Sequence, residues 1–280
     1  MGKSTFFCFG ATLLLTPAMF GQLQDNRDKF LTCEDHSRGR QAHKCELREQ
    51  TLASVGQLTV DPGTNGGVTV KGWTRSDVLV RARMEAWGPS DSDAALTFGQ
   101  IHSDAAAGRL TASGPSGGYW SVSYEIFAPQ TQDLKITAMN GGVHISDISG
   151  RMDLDTKNGG LNLNRVIGNI TGKTVNGGIH ATLLGGSGAN WQGRQLDLET
   201  VNGGVHVETP AGFQGHIQGE TVNGGIHSDF VDQAVNRQPR TPGAARRPRT
   251  MDVTVGGAGA TLKVVTRNGG IHIGRTERII

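Results

Sequence analysis

The chain has 280 residues with 27 basic and 25 acidic side chains, a net charge of +2, so no global field points to a nucleic-acid partner. Aromatic residues make up 5% of it, too few for a surface that stacks single-stranded bases. Glycine is the anomaly: 42 residues, about twice the ordinary usage of roughly 7%, which reads as a glycine-rich all-β chain.

The first segment, 1–21, has the pattern of a secretory signal peptide. Lys3 supplies a positive start, Phe6 to Leu15 is mostly apolar, and the small residues Thr16, Ala18 and Gly21 follow. Cleavage after Ala18 or after Gly21 fits, and Cys8 is expected to leave with the leader. No later stretch has the ~18 continuous apolar residues of a membrane helix. The mature chain is therefore expected to be exported, to the periplasm, the cell surface or the medium, without a transmembrane segment.

Segment 22–50 is polar and charged with little periodicity, an N-terminal arm. It holds Cys33 and Cys45, and an even pair in an oxidising compartment favours a disulfide. Closing that loop would stabilise by roughly 3 kcal/mol in the chain-entropy account. The rival is zinc: Cys33, His36, His43 and Cys45 form C-x2-H-x6-H-x-C, a spacing that matches no common zinc module.

Segment 51–133 reads as strand-rich with one short helix. Alternation from Leu52 to Val60 is turned by Asp61-Pro62-Gly63; Val78–Met84, Arg109–Ala112 and Tyr119–Phe127 are further strands, and Pro129 closes the section. Ser90 to Asp93 offer N-caps for a helix over Ala94–Ile101.

From 134 to 280 a repeat dominates. Asn-Gly-Gly-apolar begins at Asn65, Asn140, Asn158, Asn176, Asn202, Asn223 and Asn268, and five copies continue with His144, His180, His206, His227 and His272. The other two carry Thr69 and Asn162. Thr156, Thr174, Thr200, Thr221 and Thr266 stand two residues before their asparagines. Starts from 140 to 223 are spaced by 18, 18, 26 and 21 residues, the extra length falling in Leu184 to Gln195 as a loop insertion would. The 45 residues from 223 to 268 hold two coils, or one coil and a long insertion. Within them 236–250, rich in Arg and Pro, reads as an exposed loop because proline cannot sit in a sheet interior.

A unit of ~20 residues cannot bury its own apolar side chains, whereas stacked copies cover one another. The expected fold is all-β: a single-stranded parallel β-helix, a β-solenoid, with right-handed crossovers favoured. In each strand Val143 and Ile145, Ile179 and Ala181, or Val205 and Val207 would point inward and the intervening histidine outward. The corner asparagines Asn140, Asn158, Asn176, Asn202, Asn223 and Asn268 would stack as an amide ladder, with Gly-Gly supplying a φ > 0 corner.

The leader, the Cys33–Cys45 arm, the strand-rich opening with its single helix, Pro129 and the Asn-Gly-Gly-(Val/Ile) repeats together resemble the bacterial secreted β-strand-repeat family that carries an adhesin label, a domain of unknown function. The resemblance spans Leu52 to Ile273. It implies a bacterial, envelope-associated or extracellular β-solenoid with an adhesive role. The family has no agreed catalytic residues, so it lends none to this chain.

Candidate chemistry is sparse. A row of His144, His180, His206, His227 and His272 at ~4.8 Å spacing could share zinc or copper, or gain charge below pH ~6.5; the simpler reading is a solvent-facing polar row. Outward Asp153, Asp155, Asp197, Glu199 and Glu220 are the carboxylates a polysaccharide-cleaving β-helix enzyme would need. Lys173 between Asp155 and Glu199 points instead to cross-coil charge pairing. Gly114-Pro115-Ser116-Gly117-Gly118 matches a nucleophile elbow but lies between two strands rather than before a helix. Gly256-Gly257-Ala258-Gly259 likewise lacks the following helix of a phosphate loop. Arg237, Arg240, Arg246, Arg247 and Arg249 could contact anionic lipid or acidic glycan, or form a solvated loop. The apolar end Ile279-Ile280 could cap the last coil. No cofactor is implied. The expected function is a non-enzymatic, adhesin-like or structural surface protein that binds a glycan, an envelope polymer or a protein through a solenoid face. The alternatives are a polysaccharide-acting enzyme and an envelope scaffold or stress component.

Overall fold

The computed structural model describes residues 30–33, 41–117, 119–185, 191–230, 248–257 and 259–276. The first half supplies β1 (Ala42–Ala53), β2 (Gln57–Asp61), β3 (Val68–Trp73) and β4 (Asp77–Gly88). One helix, α1 (Asp91–Phe98), precedes β5 (His102–Ala106), β6 (Arg109–Ser113) and β7 (Tyr119–Pro129). The repeats begin with β8 (Asp133–Asn140), β9 (Val143–Ser146), β10 (Ser149–Asn158) and β11 (Leu161–Asn176). They continue with β12 (Ile179–Leu183), β13 (Gln195–Asn202), β14 (Val205–Thr209), β15 (Gly215–Thr221) and β16 (Ile226–Ser228). The chain returns through β17 (Arg249–Val255), β18 (Ala260–Asn268) and β19 (Ile271–Arg275).

These strands form a β-solenoid with two faces. Each repeat places one strand in each face and turns between them at Asn-Gly-Gly. The first face runs β1, β4, β7, β3, β9, the first half of β11, β12, β14, β19, β16. The second runs β5, β6, β2, β8, β10, the second half of β11, β13, β18, β15, β17. The core lies between them. Val143, Ile145, Ile179, Ala181, Val205 and Val207 are all buried, as the alternation predicts.

The body of both faces is parallel, but the coils are not stacked in chain order. The β18–β19 coil, last in sequence, sits between β13–β14 and β15–β16. At the other end β2–β3 lies between β6–β7 and β8–β9. Antiparallel strands close both ends: β5 on β6, β4 on β7 with β1 outside it, and β17 on β15. An antiparallel strand breaks the repeat, so the next parallel coil does not continue past it.

Boundaries differ from the sequence expectation in three places. Residues 42–50 are not arm but most of β1, an edge strand that exposes Lys44, Arg48, Glu49 and Gln50 to solvent. The helix begins three residues earlier than expected, because the Ser90 hydroxyl accepts the Asp93 N–H as N-cap. Arg249 and Thr250 are not loop but the start of β17. Residues 236–247, with Arg237, Arg240, Arg246 and Arg247, lie outside the described residues, as do the leader and Ile279-Ile280.

Cys33 and Cys45 form the disulfide, with Cα atoms 5.7 Å apart. That overturns the zinc alternative, because both thiolates are consumed in the bond. The disulfide ties the arm to β1, and a buried ion cluster ties it to the first face. Glu125, fully buried on β7, accepts the N–H groups of Phe30 and Leu31 at 3.2 and 3.3 Å. The Arg81 guanidinium pairs with Glu125, reaches Glu49 at 3.1 Å and donates to the Leu31 carbonyl at 3.0 Å. Charges this deep persist only when every partner is supplied.

Candidate functional site: a groove of glycine and histidine

The consensus Thr-x-Asn-Gly-Gly-apolar-His resolves into two devices. The first is structural. Asn65, Asn140, Asn158, Asn176, Asn202, Asn268 and Asn223 stack in that spatial order, each amide donating to the side-chain oxygen of the one before it. Five of the six bonds span 2.8 Å and the one from Asn140 to Asn65 spans 3.1 Å.

The glycine after each asparagine serves close packing, which corrects the expected φ > 0 corner: of these seven glycines only Gly66 has positive φ. A Cβ on Gly141, Gly159, Gly177, Gly203, Gly269 or Gly224 would lie 1.7–2.1 Å from the carbonyl oxygen of the corresponding glycine in the adjacent coil. The repeat threonine bonds that same carbonyl. Thr156 donates to Gly141 O at 3.0 Å, Thr174 to Gly159 O at 2.7 Å, Thr200 to Gly177 O at 2.8 Å, Thr266 to Gly203 O at 2.8 Å and Thr221 to Gly269 O at 2.9 Å. Threonine and first glycine thus serve one backbone acceptor, the threonine by donating to it and the glycine by leaving it room.

The second device faces solvent. On the first face the register pairs Thr69 with His144, then Asn162, His180, His206, His272 and His227. The expected histidine row exists, with Asn162 as its interruption, and coil order places His272 before His227. The rings of His180 and His206 stack with centroids 4.8 Å apart, and those of His206 and His272 at 4.6 Å, each pair within 2° of parallel. The second glycines, Gly142, Gly160, Gly178, Gly204 and Gly270, run beside the rings, and the two rows line an open groove of about 710 Å³. A Cβ on these second glycines would meet its nearest atom at 3.1–3.6 Å, in four of the five a carbonyl oxygen of the adjacent coil, so they are packed less tightly than the first glycines.

Glu208 is the residue that sequence reasoning missed. It stands two residues after His206, so period-2 alternation puts both on one side of β14, and its Oε1 lies 3.3 Å from His206 Nε2. The Thr182 hydroxyl donates to its other oxygen at 3.3 Å. A His-x-Glu within a strand was the available signal.

The same outward row, followed the other way, passes from Thr69 to Glu125 and Arg81, where the arm covers it. The groove opens where that cover ends.

The other candidates are not brought to the groove. Asp153, Asp155, Asp197, Glu199 and Glu220 lie on β10, β13 and β15, on the second face. There Lys173 stands between Asp155 and Glu199 in register, with its ammonium 3.9 Å from Glu199, so charge pairing is the arrangement observed. On that face too, a hydrogen bond from His216 holds the exposed Asp252 carboxyl below the usual range. Arg249 donates to the Gly224 carbonyl at the edge. Ser116 sits in the connection between β6 and β7, as expected of a loop. Gly256, Gly257 and Gly259 join β17 to β18, and Ala258 lies outside the described residues. No helix among the described residues is long and apolar enough to cross a membrane.

Comparison with curated proteins found no match. Among solved structures, a provisionally named cell adhesion protein from Clostridium sporogenes is 13% identical, covering 83% of this chain and 100% of its own, with a TM-score of 0.42. A provisionally named adhesin from Bacteroides fragilis is 9% identical, over 82% and 97% of the two chains, with a TM-score of 0.30. A provisionally named lipid binding protein from Parabacteroides distasonis is 8% identical, over 83% and 97%, with a TM-score of 0.29. Likeness at that level says nothing of what this chain binds. The family model described as Toastrack DUF4097 matches residues 51–273, most of the two-faced solenoid, and the chain belongs to that family.

Proposed function

We propose that this is an exported, non-enzymatic binding protein of the adhesin-like kind, whose first face holds an extended partner along the groove of glycines and histidines. The observation that carries the reading is the groove itself: a straight, solvent-open channel crossing successive coils with one repeated lining. Structure explains the asparagine, the threonine and the first glycine of each repeat. It does not require the outward histidine, as Asn162 demonstrates by occupying the same register position.

A repeated lining suits a repeated ligand, so a glycan or envelope polymer fits better than a compact molecule. Each repeat of the polymer would meet backbone, a planar ring and a hydrogen-bonding nitrogen. The Cys33–Cys45 disulfide supports folding in an oxidising compartment, where such polymers lie. The polysaccharide-acting alternative draws no support from Asp153, Asp155, Asp197, Glu199 and Glu220, which occupy the opposite face from the groove.

The test is a glycan and envelope-polymer array probed with the secreted protein and with a His180→Asn, His206→Asn, His272→Asn variant. The reading expects a polymer signal that falls at least tenfold in the variant. Equal signals would move the binding surface elsewhere, and turnover of any array member would favour an enzyme.

A further inference from the structure

We propose that His180, His206 and Glu208 form a binding site for a divalent transition-metal ion, zinc foremost, within the groove. One donor atom from each of the three lies within 4.8 Å of the others. The tightest separation, 3.3 Å between His206 Nε2 and Glu208 Oε1, is that of two ligands on one tetrahedral ion with metal–donor distances of about 2.0–2.1 Å, which places donors ~3.3–3.4 Å apart. His180 stacks on His206 from the adjoining coil, with a ring nitrogen within 4.8 Å of the donor atoms of both His206 and Glu208. Two imidazoles and a carboxylate are donors suited to zinc and to its late transition-metal neighbours rather than to calcium or magnesium.

The surroundings are those of a supported ligand set. Glu208 is oriented by the Thr182 hydroxyl on the oxygen that faces away from His206, the outer hydrogen bond that ligating carboxylates commonly carry. His272 packs on the far face of His206 at 4.6 Å and fixes its plane. Three protein ligands leave a fourth position, open to the groove, for water or for a donor atom of a bound molecule. Among the described residues no other part of the row brings two histidines and a carboxylate together; Asp229, two residues after His227, instead accepts the Arg275 N–H at 3.0 Å. His144 pairs in register with Thr69 and Asn162, and the residue aligned with Glu208 on β19 is Gly274. The other close group of donor residues found among the described residues, His43, Cys45 and Glu85, is disabled by the disulfide at Cys45.

The site needs no polymer, so it and the binding reading above can fail separately. The experiment is calorimetric titration of the full secreted chain, stripped with chelator, with zinc chloride, repeated for His206→Asn, Glu208→Gln and His144→Asn. Asn162 already shows that asparagine fits the row, and Gln can still accept from Thr182, so the fold is expected to hold; unchanged circular dichroism would check it. Cobalt(II) loading gives a second readout, because tetrahedral cobalt absorbs strongly in the visible. The expected result is zinc binding that weakens at least tenfold in His206→Asn and in Glu208→Gln, losing the cobalt band, while His144→Asn matches the unmodified chain. Absence of zinc uptake, or uptake that Glu208→Gln leaves unchanged, would overturn the proposal.

Discussion

At the residue scale, the two glycines of each repeat look alike and do different things. Gly177 has no room for a Cβ, which would meet Gly159 O at 2.1 Å, whereas one on Gly178 would find its nearest neighbour at 3.4 Å. Gly177→Ala should therefore force the coils apart and cost at least about 3 kcal/mol, the upper range for overpacking, while Gly178→Ala should cost less than about 1 kcal/mol. Urea unfolding of the two variants compares them directly. The pairing of Thr174 and Gly177 on one carbonyl was not legible, because sequence shows the threonine and the glycine in every repeat but not the acceptor they share in another coil. The outward histidines were legible, because alternation around Val143, Ile179 and Val205 leaves them no other direction.

Tyr124 belongs to the same scale. Burial raises its hydroxyl from 10.0 to about 12, against the hydrogen bond from Ser103 that partly offsets it. In the unfolded chain the phenol ionises near 10, so between pH 10 and about 12 the unfolded state binds fewer protons and stability falls as pH rises. The loss across that window is on the order of 2–3 kcal/mol. Tyr124→Phe should unfold with a shallower dependence between pH 10 and 12, measured by urea midpoints across that range.

At the scale of elements, the strands of the repeats were legible and their neighbours were not. Val78–Met84 and Tyr119–Phe127 were found as strands inside β4 and β7, but nothing local says that they pair antiparallel. β5 was missed outright, a short edge strand with polar residues on both sides of its alternation. The arm was the largest miss. Alternation along β7 and β4 places Glu125 and Arg81 on the outer side of the first face, and Phe30 and Leu31 cover them there. Glu125→Gln would leave Arg81 with Glu49 and lose the central carboxylate, at a cost of about 3 kcal/mol. Hydrogen exchange at Phe30 and Leu31 should rise in that variant, while exchange in β10 to β12 stays unchanged.

At the scale of the whole molecule, a repeat announces that coils stack without announcing their order. Asn223 and Asn268 head equivalent repeats, so either could follow Asn202 in the ladder; the structure puts Asn268 there. Thr209 bonds Gly274 across that junction, and the segment after β14 passes beyond the inserted coil before β15 begins. A chain ending at Val255 removes β18 and β19 and should leave β15 to β17 without their neighbour. Native-state hydrogen exchange is then expected to show loss of protection in β15 to β17, with β8 to β12 retaining theirs. Protection retained in β15 to β17 would mean that the repeat of Asn223 can seat directly on that of Asn202.

That stacking order also determines which histidines stand side by side, and so what the groove offers a partner. Histidine footprinting with diethyl pyrocarbonate tests the claim most directly, with and without the array polymer that gives the strongest signal. The account predicts that the polymer protects His180, His206 and His272 while His102, remote from the groove, and His216, on the second face, are modified as before. Unchanged modification along the histidine row, with protection appearing on the second face, would contradict it.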